Sequence, residues 1–127
     1  MKILVVDDSQ TVRINLKKIF STGQFVVLEA SNGLEALKVL EDNKNIQLVV
    51  SDLNMPEMDG MTFIKETRLN DKTKEIPILI HTTETSQDLK KEAKELGVTA
   101  WIPKPIRKDA LDAIIKRMLD LGLMNPA

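Results

Sequence analysis

Five short apolar runs recur along the chain: Ile3–Val6, Phe25–Leu28, Ile46–Val50, Ile78–Ile80 and Val98–Ile102. They are rich in Val, Ile and Leu and too short for helices, so each predicts a buried strand. Between and after them, apolar residues repeat at helical spacing. Val12, Leu16, Ile19 and Phe20 mark one helix, and Ala36, Leu37 and Leu40 a second. Phe63 and Ile64 centre a third, Leu89, Ala93 and Leu96 stripe a fourth, and Leu111, Ile114, Ile115, Met118 and Leu119 give a fifth. Ser9, Asn32 and Ser86 stand where N-caps are needed, with Glu35 placed to complete a capping box. Gly23, Gly97 and Gly122 are the expected helix stops. Strand and helix alternating five times predict an α/β fold, a parallel sheet with helices on both faces and right-handed crossovers.

Composition narrows the function classes. At 127 residues, 43% hydrophobic and 29% charged, the chain is expected to form one soluble domain spanning 1–127. A formal net charge of -1 gives no basic field for nucleic acid. The absence of cysteine excludes disulfides, thiolate metal sites and cysteine nucleophiles. No signal-peptide pattern opens the sequence and no apolar run approaches membrane-spanning length, which predicts a cytoplasmic protein that does not engage a membrane.

The candidate chemistry sits where the apolar runs end. Asp7 and Asp8 follow the first strand, Asp52 the third, Thr82 the fourth and Lys104 the fifth. In a parallel sheet these ends share one edge, the edge where ligands bind. Three carboxylates in a small volume repel and raise one another's pKa unless cations intervene. On that reasoning, neutralising Asp52 is expected to stabilise the metal-free protein. Lys104 can supply one positive charge, and oxygen ligands with few protein contacts suit Mg²⁺. The same group can perform phosphoryl transfer, with Asp52 as nucleophile and Mg²⁺, Lys104 and the Thr82 hydroxyl on the phosphoryl oxygens.

These residues, Val5-Val6-Asp7-Asp8-Ser9, Asp52-Leu53-Asn54-Met55-Pro56, Met58-Asp59-Gly60, Thr82 and Lys104-Pro105, resemble the receiver domains of bacterial two-component signalling, in their single-domain CheY-like chemotaxis type. The resemblance runs from about Lys2 to Leu121. It implies a flavodoxin-like sheet of five parallel strands in the order 2-1-3-4-5 flanked by five helices. It implies a signalling protein, not an enzyme, that assists its own aspartyl phosphorylation and dephosphorylation. Asp52 matches the phosphoacceptor. Asp8, Asp52 and the Asn54 backbone carbonyl match the Mg²⁺ ligands, with Asp7 acting mainly through water. Thr82 and Lys104 match the residues that read the phosphoryl group, and Trp101 an aromatic that changes rotamer on activation. Asn54 and Glu84 match residues that set phosphate lifetime. The implied partners are a histidine kinase as donor, a phosphatase, and a target, such as a flagellar switch protein, on the face of the Ser86–Gly97 helix, the Trp101 strand and the Arg107–Leu121 helix.

The sequence departs from the common pattern at Ile106, Thr83 and Glu57, which bears on lifetime and partner and leaves the phosphoacceptor assignment intact. A phosphorelay intermediate serving a histidine phosphotransfer protein near the Val12–Phe20 helix is the alternative output. A haloacid dehalogenase-like phosphatase wants an Asp two residues after its nucleophile, where this chain has Asn54. A flavodoxin-like FMN carrier wants a hydroxyl-rich phosphate loop where this chain has Asp7-Asp8. The remaining polar and soft residues read as structure: His81 as a packing or partly exposed residue and not a ligand or phosphoacceptor, and Met55, Met58 and Met61 as packing residues.

Overall fold

The computed structural model describes residues 1–21, 23 and 25–124. The elements run β1 (Lys2–Val6), α1 (Gln10–Phe20), β2 (Val26–Ala30), α2 (Gly33–Asp42), β3 (Ile46–Ser51), α3 (Gly60–Leu69), β4 (Ile78–Thr82), α4 (Gln87–Glu95), β5 (Ala100–Pro103) and α5 (Lys108–Asp120). All strand pairs are parallel, in the order β2-β1-β3-β4-β5. The alternation read from the sequence, and the order implied by the resemblance, are both observed. Residues 125–127, the end of the expected domain, lie outside the described residues.

The strands are largely apolar because both faces of the sheet are covered. Along β1, Leu4 and Val6 face one core, with Val49, Ile78, Ile80, Phe63 and Ile64. Ile3 and Val5 face the other, with Leu48, Val50, Leu79, Phe20 and Leu111. The first core lies under α2, α3 and α4, the second under α1 and α5. Alternating side-chain directions in a strand produce this division.

Ser9, Asn32 and Ser86 cap as expected, accepting the N–H groups of Val12, Glu35 and Leu89 at 3.3, 2.9 and 3.3 Å. Gly97 and Gly122 take φ of +73°, the left-handed conformation that ends a helix. Several boundaries differ from the sequence reading, β4 running on to Thr82 among them. Helix α1 closes at Ser21, whose hydroxyl donates to the Lys18 carbonyl at 2.7 Å, two residues before Gly23. Strand β2 starts at Val26 and runs on to Ala30, whose carbonyl receives the Asp7 N–H at 3.0 Å. Strand β5 starts at Ala100, because the Val98 N–H is spent on the Ala93 carbonyl as α4 closes.

Candidate functional site

The sheet reverses its winding between β1 and β3: the chain goes one way from β1 to β2 and the other way to β3 and beyond. A crevice therefore opens above their carboxyl ends. Asp7 is anchored there by its bond to Ala30, and Asp52 by donating its N–H to the Val6 carbonyl at 2.9 Å. Each strand end is held by its neighbour, so both carboxylates are fixed by backbone ladder.

The turn after Asp52 closes tightly. Gly60 N–H donates to the Leu53 carbonyl at 2.9 Å, and Gly33 N–H to the Met58 carbonyl at 2.9 Å. A Cβ on Gly60 would run into the Asp52 carbonyl and lie 2.8 Å from Leu53 Cα, so this close approach requires glycine. Glu57 in this loop has φ of +66°. Asp59 then caps α3, accepting the Thr62 N–H at 2.8 Å.

Lys104 bridges the carboxylates. Its Nζ lies 2.6 Å from Asp52 Oδ2 and 2.7 Å from Asp7 Oδ2. Asp52 Oδ1 accepts the Leu53 N–H at 2.6 Å, and Asp7 Oδ1 the Ser9 N–H at 2.9 Å. Asp7 Oδ2 sits buried at ion-pair distance from Lys104 but outside hydrogen-bond geometry. Thr82 is fully buried at the end of β4, and its hydroxyl accepts the Glu84 N–H at 3.2 Å.

The two buried carboxylates titrate in opposite directions. Burial pushes Asp7 up, and Lys104 and the Ser9 N–H offset this only in part, so its pKa is raised. Burial also pushes Asp52 up, but Lys104, the Thr82 hydroxyl and the Leu53 N–H outweigh it, and its pKa is lowered. For Lys104, burial lowers the pKa and the two aspartates more than reverse this. The expectation that neutralising Asp52 stabilises the metal-free protein is thus corrected: the disfavoured charge is that of Asp7, chiefly through burial and only in smaller part through the nearby Asp52, because Lys104 is better aimed at Asp52.

Asp7, Asp8 and Asp52 each offer an oxygen within 4.8 Å of the others. Asp8 is exposed while Asp7 and Asp52 are buried, so the group has one face open to water. This all-oxygen set with an open face, and an Asp7 oxygen lacking a hydrogen bond, fit a hard, partly hydrated cation such as Mg²⁺. Asn54 is exposed on the loop beyond Asp52. Glu84 is turned onto its own loop, its Oε1 accepting the N–H groups of Thr85 and Ser86 at 3.2 and 3.3 Å. Trp101 pairs with Ile80 in the β4–β5 register and is partly buried, with Lys90 Nζ 5.7 Å from its ring centroid.

Two residues at this edge have roles that the sequence reading does not assign. Arg13 donates to the Asp7 carbonyl at 2.6 Å and pairs with Glu29 at 3.2 Å, which ties α1 and β2 to the end of β1. Its place four residues after the Ser9 cap, one turn into the helix that starts at the acidic pair, is the signal that could have found it. His81, read as packing or partly exposed, is buried, and it also accepts the Ile106 N–H at 3.2 Å. Nothing in the local sequence marks that partner.

The sequence pattern of the response regulator receiver domain matches residues 3–116. Chemotaxis protein CheY1 of Helicobacter pylori is 39% identical over 120 residues, covering 91% of this chain and 97% of that protein. The CheY homolog of Campylobacter jejuni is 37% identical over 123 residues, covering 96% and 95%. Among solved structures, the chemotaxis response regulator CheY4 of Vibrio cholerae superposes with a TM-score of 0.81 at 36% identity, covering 91% of this chain and 96% of that one. A match this long, with the acidic pair, Asp52, Thr82 and Lys104 brought to one edge of the sheet, establishes that the chain belongs to the response regulator receiver domain family and is homologous to the CheY chemotaxis proteins.

Proposed function

We propose that the protein is a phosphorylation-activated signalling switch of the chemotaxis type, in which one receiver domain accepts a phosphoryl group on Asp52 from a histidine kinase. The observation that carries this reading is Asp52 itself. It is a buried carboxylate held ionised at a strand end, with Lys104 2.6 Å away and Asp7 and Asp8 within metal-ligand reach. A nucleophile needs the ionised form, and Lys104 and the Leu53 N–H maintain it. Mg²⁺, held by Asp8, Asp52 and the Asn54 carbonyl with Asp7 acting through water, would supply positive charge on the phosphoryl oxygens.

In the transfer, an Asp52 oxygen attacks phosphorus in line. The P–O bond forms as the P–N bond to the donor histidine breaks, and the imidazole leaves. Lys104 passes from the carboxylate to a phosphoryl oxygen, and the buried Thr82 hydroxyl turns from Asp52 to another. Water later cleaves the acyl phosphate, at a rate set in part by Asn54, Glu84 and any phosphatase partner. The relative named sensor histidine kinase CheAY of Helicobacter pylori is 34% identical over 120 residues, and the match spans 15% of that protein. That similarity supports a kinase of the chemotaxis class as donor.

The output reading follows from Thr82 and Trp101. The partly buried ring lies beside Lys90 of α4, and inward movement of Thr82 would leave space for the ring. Such a change biases an equilibrium between two existing conformations. The target binds the α4, β5 and α5 face, where a flagellar switch protein is the chemotaxis candidate, and the coupling is about 1–3 kcal/mol. Among the described residues no helix is long and apolar enough to cross a membrane, which agrees with a cytoplasmic switch.

The test is intact mass after incubation with acetyl phosphate and Mg²⁺. One phosphoryl adduct is expected on the wild type and none on Asp52→Asn; equal labelling of the mutant rejects the assignment. A Trp101 fluorescence signal indifferent to Mg²⁺ and to beryllofluoride rejects the proposed output.

A further inference from the structure

Lys104 reaches two carboxylates from a loop, and the loop needs an anchor. Two bonds tie it to β4. Lys104 N–H donates to the Thr82 carbonyl at 3.0 Å, and Ile106 N–H donates to His81 Nε2 at 3.2 Å. The second bond is unusual because its acceptor is a side chain 4% exposed in the middle of an apolar layer. His81 alternates with Thr82, so it points to the opposite face of β4, the one shared with Leu79 under α1 and α5.

An open pocket of about 350 Å³ lies between α1 and the loop, with Leu16, Lys18, His81, Lys104 and Ile106 in its lining. Ile106 is only partly buried where it packs against the apolar layer beside it, and the His81 bond adds a directional tie to that partial packing.

The choice of histidine also costs stability. An imidazole that accepts at Nε2 carries its proton on Nδ1 when neutral, and burial, with the charge of Lys104, pushes its pKa down to about 4. That Nδ1–H is buried with no hydrogen-bond partner among the described residues. An unmade buried donor is unfavourable, so a residue selected only to fill this layer would be apolar, as Leu79 is. A local rule broken beside a reactive centre points to a role in that centre.

We propose that His81 is a positioning residue for phosphoryl transfer: by holding the Ile106 amide it fixes the Lys104–Ile106 loop and so sets Lys104 Nζ against Asp7 and Asp52. The transfer step rests on the function proposed above; the anchoring of the loop does not.

His81→Leu keeps similar bulk and removes the acceptor, and His81→Gln restores an acceptor oxygen at similar reach. His81→Asn is polar but too short, and serves if the leucine variant does not fold. Three quantities are read on each: the rate of phosphorylation by acetyl phosphate at saturating Mg²⁺, denaturant stability, and hydrogen exchange of the Ile106 amide. His81→Leu is expected to lose Ile106 protection and to slow phosphorylation on the order of 10- to 100-fold, the scale of a small misplacement of a catalytic group. Its stability should equal or exceed wild type, and His81→Gln should recover most of the rate. A merely structural role would instead lower stability and leave the rate intact. Ile106 protection unchanged in His81→Leu and His81→Asn overturns the anchor, and a wild-type rate despite lost protection overturns the positioning. If the wild type itself takes no phosphoryl group, the proposed function fails, while the Ile106 amide still decides the anchor.

Discussion

Replacing Lys104 with Met removes the cation that lies between two buried carboxylates and leaves their surroundings nearly unchanged in volume. The Lys104 side chain is 15% exposed, and those of Asp7 and Asp52 are 1% and 8% exposed. Removing one partner of a buried pair costs about 3–5 kcal/mol, because a desolvated charge is left behind. Here Asp7, already raised, can take a proton and limit the loss, so about 2–4 kcal/mol is expected at pH 7 in chelator. For 127 residues, each kcal/mol moves Tm by roughly 4 °C, which places the melting point about 8–16 °C lower. The pH dependence gives the sharper check. In wild type the lowered pKa of Asp52 contributes stability that is present above 3.8 and lost as pH falls through the lower folded value. The raised pKa of Lys104 contributes below 10.5 and is lost as pH rises through its folded value. In Lys104→Met the burial of both aspartates stands unopposed by that cation, so each costs stability as pH rises above 3.8. The gap between the two proteins should therefore be widest near neutrality and close below about pH 4. Denaturant titrations at pH 3.5 and pH 7, with and without excess Mg²⁺, measure it. A gap independent of pH, or no loss at neutral pH, would refute the bridging role. Mg²⁺ should recover part of the variant's loss by mass action.

The opposite shifts of the two aspartates predict opposite mutants. In chelator Asp7→Asn should raise Tm, because it removes the charge that burial disfavours, and Asp52→Asn should lower Tm, with a stability loss of about 1–3 kcal/mol from the lost charged hydrogen bond; melts of both decide the order. Gly60→Ala should cost about 1–3 kcal/mol, since the new methyl meets backbone at Asp52 and Leu53, and phosphorylation by acetyl phosphate should fall more than stability. His81, lowered from 6.5 to about 4 by its burial, stays neutral in the fold where the unfolded chain takes a proton, so it costs stability as pH falls from 6.5 toward 4, up to about 3 kcal/mol. His81→Gln should flatten that part of the pH-stability curve, and an unchanged slope would mean that other groups carry it.

Much of the site was legible because its residues sit at ends of apolar runs. Asp7, Asp8, Asp52, Thr82 and Lys104 each follow a strand whose composition announces it, and parallel strands align their carboxyl ends by necessity. Caps and stops were legible for the same local reason, at Ser9, Asn32, Ser86, Gly97 and Gly122. The strand order was not a local property, and here it came from resemblance to a known family. Helix α1 and strand β5 shifted their bounds because Ser21 and Val98 found hydrogen-bond partners nearer than the apolar pattern suggested.

What the sequence by itself determined is the set of elements, their alternation and the charged residues at one edge of the sheet, since period, capping and breaker residues act over a few positions. What only the tertiary structure decided is how those charges divide the work. Lys104 lies 52 residues from Asp52 and meets both aspartates at nearly equal distance, yet only Asp52 is left with a lowered pKa. His81 gains its role from an amide 25 residues away, which no local pattern encodes. Burial and hydrogen-bond direction fix pKa and position, and both arise only when distant segments are brought together.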